Sequence, residues 1–339
     1  MEQPEGQAGR LVVVSEATGK QGKSVVKALL EDNKVRSSQG QSALWKIRAL
    51  THRSSDSQHV LEELRKLGEE VELFSADPSN EEVKNALDKA YAFFSMTSSW
   101  EPTTAGKELA VGKMHVDVAS QTDALKHLVL ISAPNVEKLS HGKWKVPFLT
   151  DKALVEEYAR KKFQGGYTTF LAPAFFYQNF RKFFAPRREQ DGTLVFELPL
   201  SRETYLTGVD IEDIGRAVVT VLNNPSEWNE KHVPLFGENA HPQDYIQTFE
   251  EVTGKKAKYV PLTQEKFLSE AHHKEEEDEG MRRKKPVADE LAQMFGYLEE
   301  FGSFGPYFAE GGALAKKANP ELKTWRQWLE ANAAHHGLE

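Results

Sequence analysis

The stretch Leu11-Val-Val-Val-Ser-Glu-Ala-Thr-Gly-Lys-Gln-Gly-Lys-Ser-Val-Val26 constrains this chain more than any other. Leu11–Val14 is a short β-branched run of the kind that forms a strand buried in a parallel sheet. Gly19 and Gly22 follow in a tight turn, and Ser24–Glu31 then places Val25, Val26, Leu29 and Leu30 on one helical face. Strand, turn and helix N-terminus together direct backbone N–H groups and the positive helix end at one point, where a pyrophosphate can sit. Glycine suits such a turn because a β-carbon would hold the phosphate away from the backbone.

The same alternation continues. Strands are expected at Ile47–Thr51, Val71–Leu73, Ala92–Met96 and Leu128–Ile131, with helices at Ser57–Leu67, Glu81–Lys89 and Thr104–Leu125 between them. Residues 32–45 read as a polar loop. Five strands alternating with helices in the first 135 residues or so specify an α/β fold, a Rossmann doubly wound parallel sheet. Residues 1–150 form the dinucleotide-type domain in this reading. Residues 151–339 form a smaller C-terminal α+β subdomain on the substrate side, packed on the first and returning strands and helices to its core. Its elements are a helix at Lys152–Lys161, strands near Thr168–Leu171, Leu194–Phe196 and Leu206–Val209, a helix at Ile211–Leu222 and another after Pro242. The acidic run Glu275–Glu279 and the basic run Arg282–Lys285 fit a solvated helix, with Asp278/Arg282 and Glu279/Arg283 as i,i+4 pairs.

Composition removes several function classes. With no cysteine, thiolate metal sites, disulfides and cysteine nucleophiles are excluded. A net charge of −8 argues against direct binding of a nucleic-acid backbone. No apolar run approaches the ~20 residues of a membrane span, and Met1–Arg10 lacks the apolar core of a secretory signal, so the cytosol is the default compartment and the nucleus stays open. His272/His273 and His335/His336 lack the i,i+4 spacing of a helical zinc site, so no metal is expected. No G-x-S-x-G elbow supports hydrolase chemistry.

The turn Ala17-Thr18-Gly19-Lys20-Gln21-Gly22 resembles the G-A-T-G-x-Q-G signature of the NmrA-like branch of the short-chain dehydrogenase/reductases. The resemblance continues through Thr51-His52-Arg53, Ala76-Asp77, Thr97-Ser98-Ser99-Trp100-Glu101 and Lys126-His127-Leu-Val-Leu-Ile-Ser132. It extends to Phe148-Leu-Thr-Asp-Lys152-Ala-Leu-Val-Glu156-Glu-Tyr158, Pro173-Ala-Phe-Phe-Tyr-Gln-Asn179-Phe, Val209-Asp-Ile-Glu-Asp213-Ile-Gly215 and Trp325-Arg-Gln-Trp328. It implies binding of NADP(H) or NAD(H), in a family that includes redox-sensing co-regulators without known turnover as well as reductases of small aromatic molecules. The cofactor-binding residues it implies are Thr18, Gly19, Gln21, Gly22, Arg53, Asp77, Thr97, Ser98, Lys152, Phe176 and Asn179. Arg53 would pair with a 2′-phosphate and so favour NADP(H).

Two departures stand out. Glu16 occupies the first glycine of the signature, which would weaken or abolish dinucleotide binding if its carboxylate faces the pyrophosphate. Phe148 stands four residues before Lys152, where short-chain dehydrogenases carry their acidic tyrosine, and a phenyl ring carries no proton. The catalytic candidates are therefore Lys152, Ser132 and Tyr177: Lys152 could be a plain surface helix lysine and Ser132 a strand-end cap, while Tyr177 and Asn179 are expected to line the substrate side, with Phe175, Phe176 and Phe180 as plain core aromatics. Asp77 could equally begin an Asp-Pro turn, and Arg53 could be a solvated arginine. Two classes of function remain. One is an NADP(H)-responsive regulator whose C-terminal subdomain contacts a protein partner. The other is an enzyme on a small aromatic or polyketide-like molecule, as an NADPH-dependent reductase using Tyr177 or a water as acid, or as a cofactor-free lyase, isomerase or cyclase. The sequence leaves the oligomeric state open.

Overall fold

The computed structural model describes residues 9–51, 62–64, 66, 71–75, 79–97, 106–181, 184–269 and 287–332. Arg53, Asp77, Ser98, the charged runs at 275–285 and both histidine pairs lie outside the described residues.

Seven strands form one parallel sheet: β1 (Arg10–Val14), β2 (Trp45–Thr51), β3 (Val71–Ser75), β4 (Ala92–Ser95), β5 (His127–Ile131), β6 (Tyr167–Pro173) and β11 (Lys231–Leu235). Their order is β11-β6-β5-β4-β1-β2-β3. The order reverses between β1 and β4, and in open parallel sheets the crevice at such a switch point, beyond the carboxyl ends of the strands, receives the ligand. β1 runs in register with β4 through Val12↔Ala92 and Val14↔Phe94, so the two strand ends lie side by side.

Side chains along each strand alternate between two cores, as the pleat requires. Val12, Val14, Ile47, Ala49, Phe94, Val129 and Ile131 face α1 (Lys20–Ser38) and, later in the chain, α5 (Glu212–Asn223). Val13, Leu50, Phe93, Leu128 and Leu130 face α2 (Asn80–Ala86), α3 (Glu108–Ser120) and α4 (Pro147–Lys162). Helices therefore cover both faces. α1 and α5 approach so closely that a β-carbon on Gly215 would fall 2.2 Å from the Ser24 carbonyl oxygen.

The polar loop expected at 32–45 is instead helix as far as Ser38. Its composition hides the helix because its polar groups are used locally and across the fold. Asp32 pairs with Arg36 one turn on. The buried Asn33 amide accepts from the Trp45 N–H at 3.0 Å and donates to its carbonyl at 2.8 Å, joining α1 to β2. β11 was not anticipated either: its sequence Lys-His-Val-Pro-Leu carries a proline, which a sheet tolerates at its edge.

The rest of the chain builds a second lobe. It contains a sheet of β7 (Phe175–Phe176), β10 (Leu206–Val209) and β12 (Glu238–Ala240), and one of β8 (Arg187–Arg188), β9 (Leu194–Leu198) and β13 (Ala257–Pro261). α6 (Pro242–Thr253), α7 (Val287–Phe301) and α9 (Trp325–Ala331) complete it, while α8 (Phe308–Ala318) returns to the first lobe and packs on β11 and α5. Phe180, Phe184, Phe196, Phe249, Phe267 and Phe295 pack with Trp325 and Trp328 in the core of the second lobe. The chain is drawn back to the first lobe at Lys323. Its N–H donates to Asp213 at 2.9 Å and its ammonium meets Asp210 at 2.6 Å. Burial pushes the Asp213 carboxyl above its ordinary range, and its bonds to Lys323 restrain the rise. Among the described residues, no helix is long and apolar enough to cross a membrane and no group of side chains is arranged to hold a metal ion.

His127, at the foot of β5, is buried with its Nε2 2.8 Å from the Thr169 hydroxyl. Burial lowers its pKa from 6.5 to about 3, so the imidazole is neutral in the folded protein. Below pH 6.5 the unfolded chain takes a proton that the folded chain refuses, and stability falls as the pH drops from 6.5 toward 3. Urea denaturation of His127→Gln should lose about 1.4 kcal/mol less than the parent between pH 7.5 and 5.5, at about 1.4 kcal/mol per unit. Parallel losses in the two proteins would contradict this.

Candidate functional site

The turn after β1 is held at both ends. Ser15 donates its hydroxyl to the Met96 carbonyl at 2.9 Å and accepts from the Met96 N–H at 2.7 Å, fastening the turn to the end of β4. The Gly19 N–H donates to the Glu16 carbonyl at 2.9 Å, closing the turn. A β-carbon on Gly22 would lie 2.2 Å from that same carbonyl oxygen, so the first turn of α1 can sit this close only with glycine there. Glu16 has φ +51°, the left-handed region in which the family signature places glycine. Glutamate pays a steric cost of about 1–2 kcal/mol in that conformation.

Gly19 is the N-cap of α1, and no side chain caps the helix. The first-turn amides of Gln21 and Gly22 are thus left for solvent or for an anion. Thr18 and Gly19 are half-buried beside them. The Gln21 side-chain carbonyl is buried without a donor. A phosphate cannot satisfy it, but a ligand hydroxyl or amide N–H can. Phe176 is half-buried and packs on the core cluster that includes Ala17, Met96 and Ile131. Asn179 follows on a 3₁₀ turn spanning Tyr177–Arg181.

At the end of β4, the Thr97 hydroxyl donates to Glu108 at 2.7 Å. Glu108 is the first residue of α3, and its side chain is 1% exposed. It forms an ion pair with Lys152, whose ammonium also donates to the Phe148 carbonyl at 3.2 Å. Lys152 therefore lies on the side of α4 that faces α3 and the end of β4, with Glu108 as its partner and Thr97 bonded to the same carboxylate. Phe148 is half-buried against the aromatic core of the second lobe.

The other two candidates for a reductase acid sit differently from expectation. Ser132, buried at the end of β5, donates its hydroxyl to Glu156 at 2.5 Å. Glu156 also meets His232 Nδ1 at 2.8 Å and receives two bonds from Arg160. Burial alone would raise the Glu156 carboxyl, but the hydrogen bond and charge of His232, with Ser132 and Arg160, outweigh it and hold the group below its ordinary range. Tyr177 is fully buried among Tyr245, Trp325 and Trp328, and its hydroxyl donates to the Lys323 carbonyl at 3.2 Å. Burial, with Tyr245 and the nearby carboxylates, pushes its phenol well above the ordinary value. The expectation that Tyr177 faces the substrate side is thus corrected: the aromatic rings that made it look like a pocket residue are its packing partners.

The structure unites Thr18, Gly19, Gln21, Gly22 and Thr97 around the switch point, with Lys152 reaching Thr97 through Glu108. Sequence reasoning missed Glu108, Glu156 and His232. Glu156 lay inside the quoted lysine-helix motif, one turn beyond Lys152. Glu108 had no local signal, because its partner is 44 residues away in the chain.

The sequence profile of the NmrA-like family matches residues 9–329. The chain belongs to the NmrA-like family. It is similar to the NmrA-like family domain-containing oxidoreductase FrzB of Cladobotryum sp, at 29% identity over 92% of this chain and 90% of that protein. Among solved structures it is similar to NmrA, a negative transcriptional regulator. In its complex with NAD, NmrA matches with a TM-score of 0.76 and 22% identity over 96% of this chain and 95% of that one. In complex with NADP the TM-score is 0.73, at 22% identity and the same coverage. At that identity the likeness establishes the shared fold, a Rossmann-like parallel sheet with helices on both faces.

The Glu156 cluster has a measurable weight. Glu156→Ala leaves Ser132, His232 and Arg160 without their common acceptor and should cost about 3 kcal/mol in urea denaturation, as breaking a buried ion pair does. Ser132→Ala removes one hydrogen bond and should cost about 1 kcal/mol. Equal costs would show that the cluster does not depend on the carboxylate.

Proposed function

We propose that this protein binds NADP(H) at the carboxyl ends of β1 and β4 and acts as a dinucleotide-responsive regulator with weak or no ordinary dehydrogenase activity. One observation carries this reading: the side chains at three positions that could supply the proton of a carbonyl reductase are closed. Phe148 has no proton to give, that of Ser132 is committed to Glu156, and that of Tyr177 is committed to a backbone carbonyl inside an aromatic core. Losing a positioned acid is worth roughly 10²–10⁴-fold in rate.

The residues present fit a dinucleotide. The uncapped helix start, the glycine cradle at Gly22 and the unmet acceptor of Gln21 support that fit. Thr18, Gly19, Gln21 and Gly22 would hold the pyrophosphate, Arg53 the 2′-phosphate and Asp77 the adenine side. Thr97, Ser98 and Lys152 would meet the nicotinamide ribose, and Phe176 and Asn179 the nicotinamide. A bound nicotinamide would supply a hydride; the chain's own contribution is to bind and orient it. The complexes of NmrA with NAD and NADP support this reading, as does that protein's description as a negative transcriptional regulator. Occupancy would be communicated to a protein partner through the second lobe, which Lys323 ties to α5 at Asp210 and Asp213.

A second reading is favoured by the oxidoreductase name of FrzB and by the ammonium retained at Lys152. It is an enzyme on a small aromatic or polyketide-like molecule, as an NADPH-dependent reductase or a cofactor-free lyase, isomerase or cyclase.

Calorimetric titration with NADPH, NADP+, NADH and NAD+, followed by a carbonyl panel monitored at 340 nm, separates the readings. NADP(H) should bind more tightly than NAD(H), Arg53→Ala should remove most of the difference, and turnover should be absent or weak. Equal affinities would contradict the proposed role of Arg53, and robust NADPH oxidation would establish the enzyme. Absence of all binding would favour cofactor-free chemistry.

Glu16→Gly should tighten NADPH binding by roughly ten- to a hundredfold, as it removes a carboxylate and a β-carbon from the turn, at about 1.4 kcal/mol per decade. Thermal stability should change little. Relief of the left-handed strain, about 1–2 kcal/mol, is offset by the roughly 0.5–1 kcal/mol that glycine costs in chain entropy. Submicromolar affinity in the parent, unchanged by the substitution, would show that Glu16 does not oppose the ligand.

A further inference from the structure

We infer that Glu108 is a positioning residue for the ribose contact of Lys152. The inference rests on the dinucleotide reading above. Three elements converge on this pair: Thr97 at the end of β4, Glu108 at the start of α3 and Lys152 in α4. The Lys152 side chain is 14% exposed and that of Glu108 only 1%, so the ammonium is the more accessible member of the pair. Glu108 is the buried member and acts through Lys152.

An ammonium has three N–H bonds. One goes to Glu108 and one to the Phe148 carbonyl, which leaves one for a ligand. A lysine held by two fixed acceptors presents that last donor in one direction instead of sweeping a cone. The Thr97 hydroxyl donates to the same Glu108 oxygen that holds the lysine, so the carboxylate is itself fixed by a second bond. The ion pair also has no net charge. The pocket therefore offers a directed hydrogen-bond donor at this point, which suits a sugar hydroxyl better than a phosphate. Glu108 stays put because α3 and α4 pack without a gap: a β-carbon on Gly112, one turn along from Glu108, would fall 2.3 Å from the Val155 side chain.

The test compares two ligands that share the adenine side but differ at the nicotinamide ribose. NADP+ carries that ribose and 2′,5′-ADP lacks it. Calorimetry on the full chain should show that Glu108→Gln, which keeps the shape and the Thr97 bond but loses the charge, weakens NADP+ binding by about tenfold. Affinity for 2′,5′-ADP should stay within twofold of the parent. Lys152→Met, on the more accessible side of the pair, should produce the same selective loss, and it keeps the inference testable should Glu108→Gln fold poorly. The double variant should lose no more than either single one, since both remove the same contact. Unchanged NADP+ affinity in Glu108→Gln, equal weakening of both ligands, or additive losses in the double variant would each overturn the positioning role. If the parent binds neither ligand, the dinucleotide reading itself fails and this inference falls with it; if the parent binds both and only the selective loss is missing, the inference alone fails.

Discussion

The contact between Gly22 and the Glu16 carbonyl governs the rest of the site. A β-carbon at Gly22 would come within 2.2 Å of that oxygen, a separation that atoms do not adopt. Glycine there lets the first turn of α1 close onto the end of β1, and Ser15 then ties the turn to Met96 beyond β4. The switch point of the sheet is thereby given a floor of backbone groups and an uncapped helix start.

Buried carboxylates complete the arrangement. Glu108 holds Thr97 and Lys152, and Glu156 holds Ser132, His232 and Arg160. Carboxylates this deep persist only when their oxygens are satisfied by donors, and here each one joins elements far apart in the chain. The two clusters also divide the inherited catalytic groups. One holds the Lys152 ammonium, whereas the other accepts the Ser132 hydrogen bond.

Much of the fold was legible because it is written locally. Strands β1, β2, β4 and β5 show as short apolar runs, and the glycine turn shows as a spacing. α1 was read too short because Asp32, Asn33 and Arg36 look like loop residues until their partners Trp45 and Asn223 are in place. β11 was hidden by a lysine, a histidine and a proline at the sheet edge. Lys152 and Thr97 were named from their motifs, and the structure joins them through Glu108. Glu108 could not be named so, because the reason for its position is a lysine on another helix. Tyr177 was misjudged because an aromatic cluster reads alike whether it lines a cavity or fills a core.

The most direct test of the account is a crystal structure of the protein grown with NADPH. The account places the pyrophosphate against the first-turn amides of α1 at Gln21 and Gly22, and a nicotinamide-ribose hydroxyl within hydrogen-bond distance of the Lys152 ammonium. Ser132 should remain bonded to Glu156, and Tyr177 should remain in the core. A dinucleotide bound elsewhere, or one whose nicotinamide lies beside a freed Ser132 or Tyr177 hydroxyl, would contradict it.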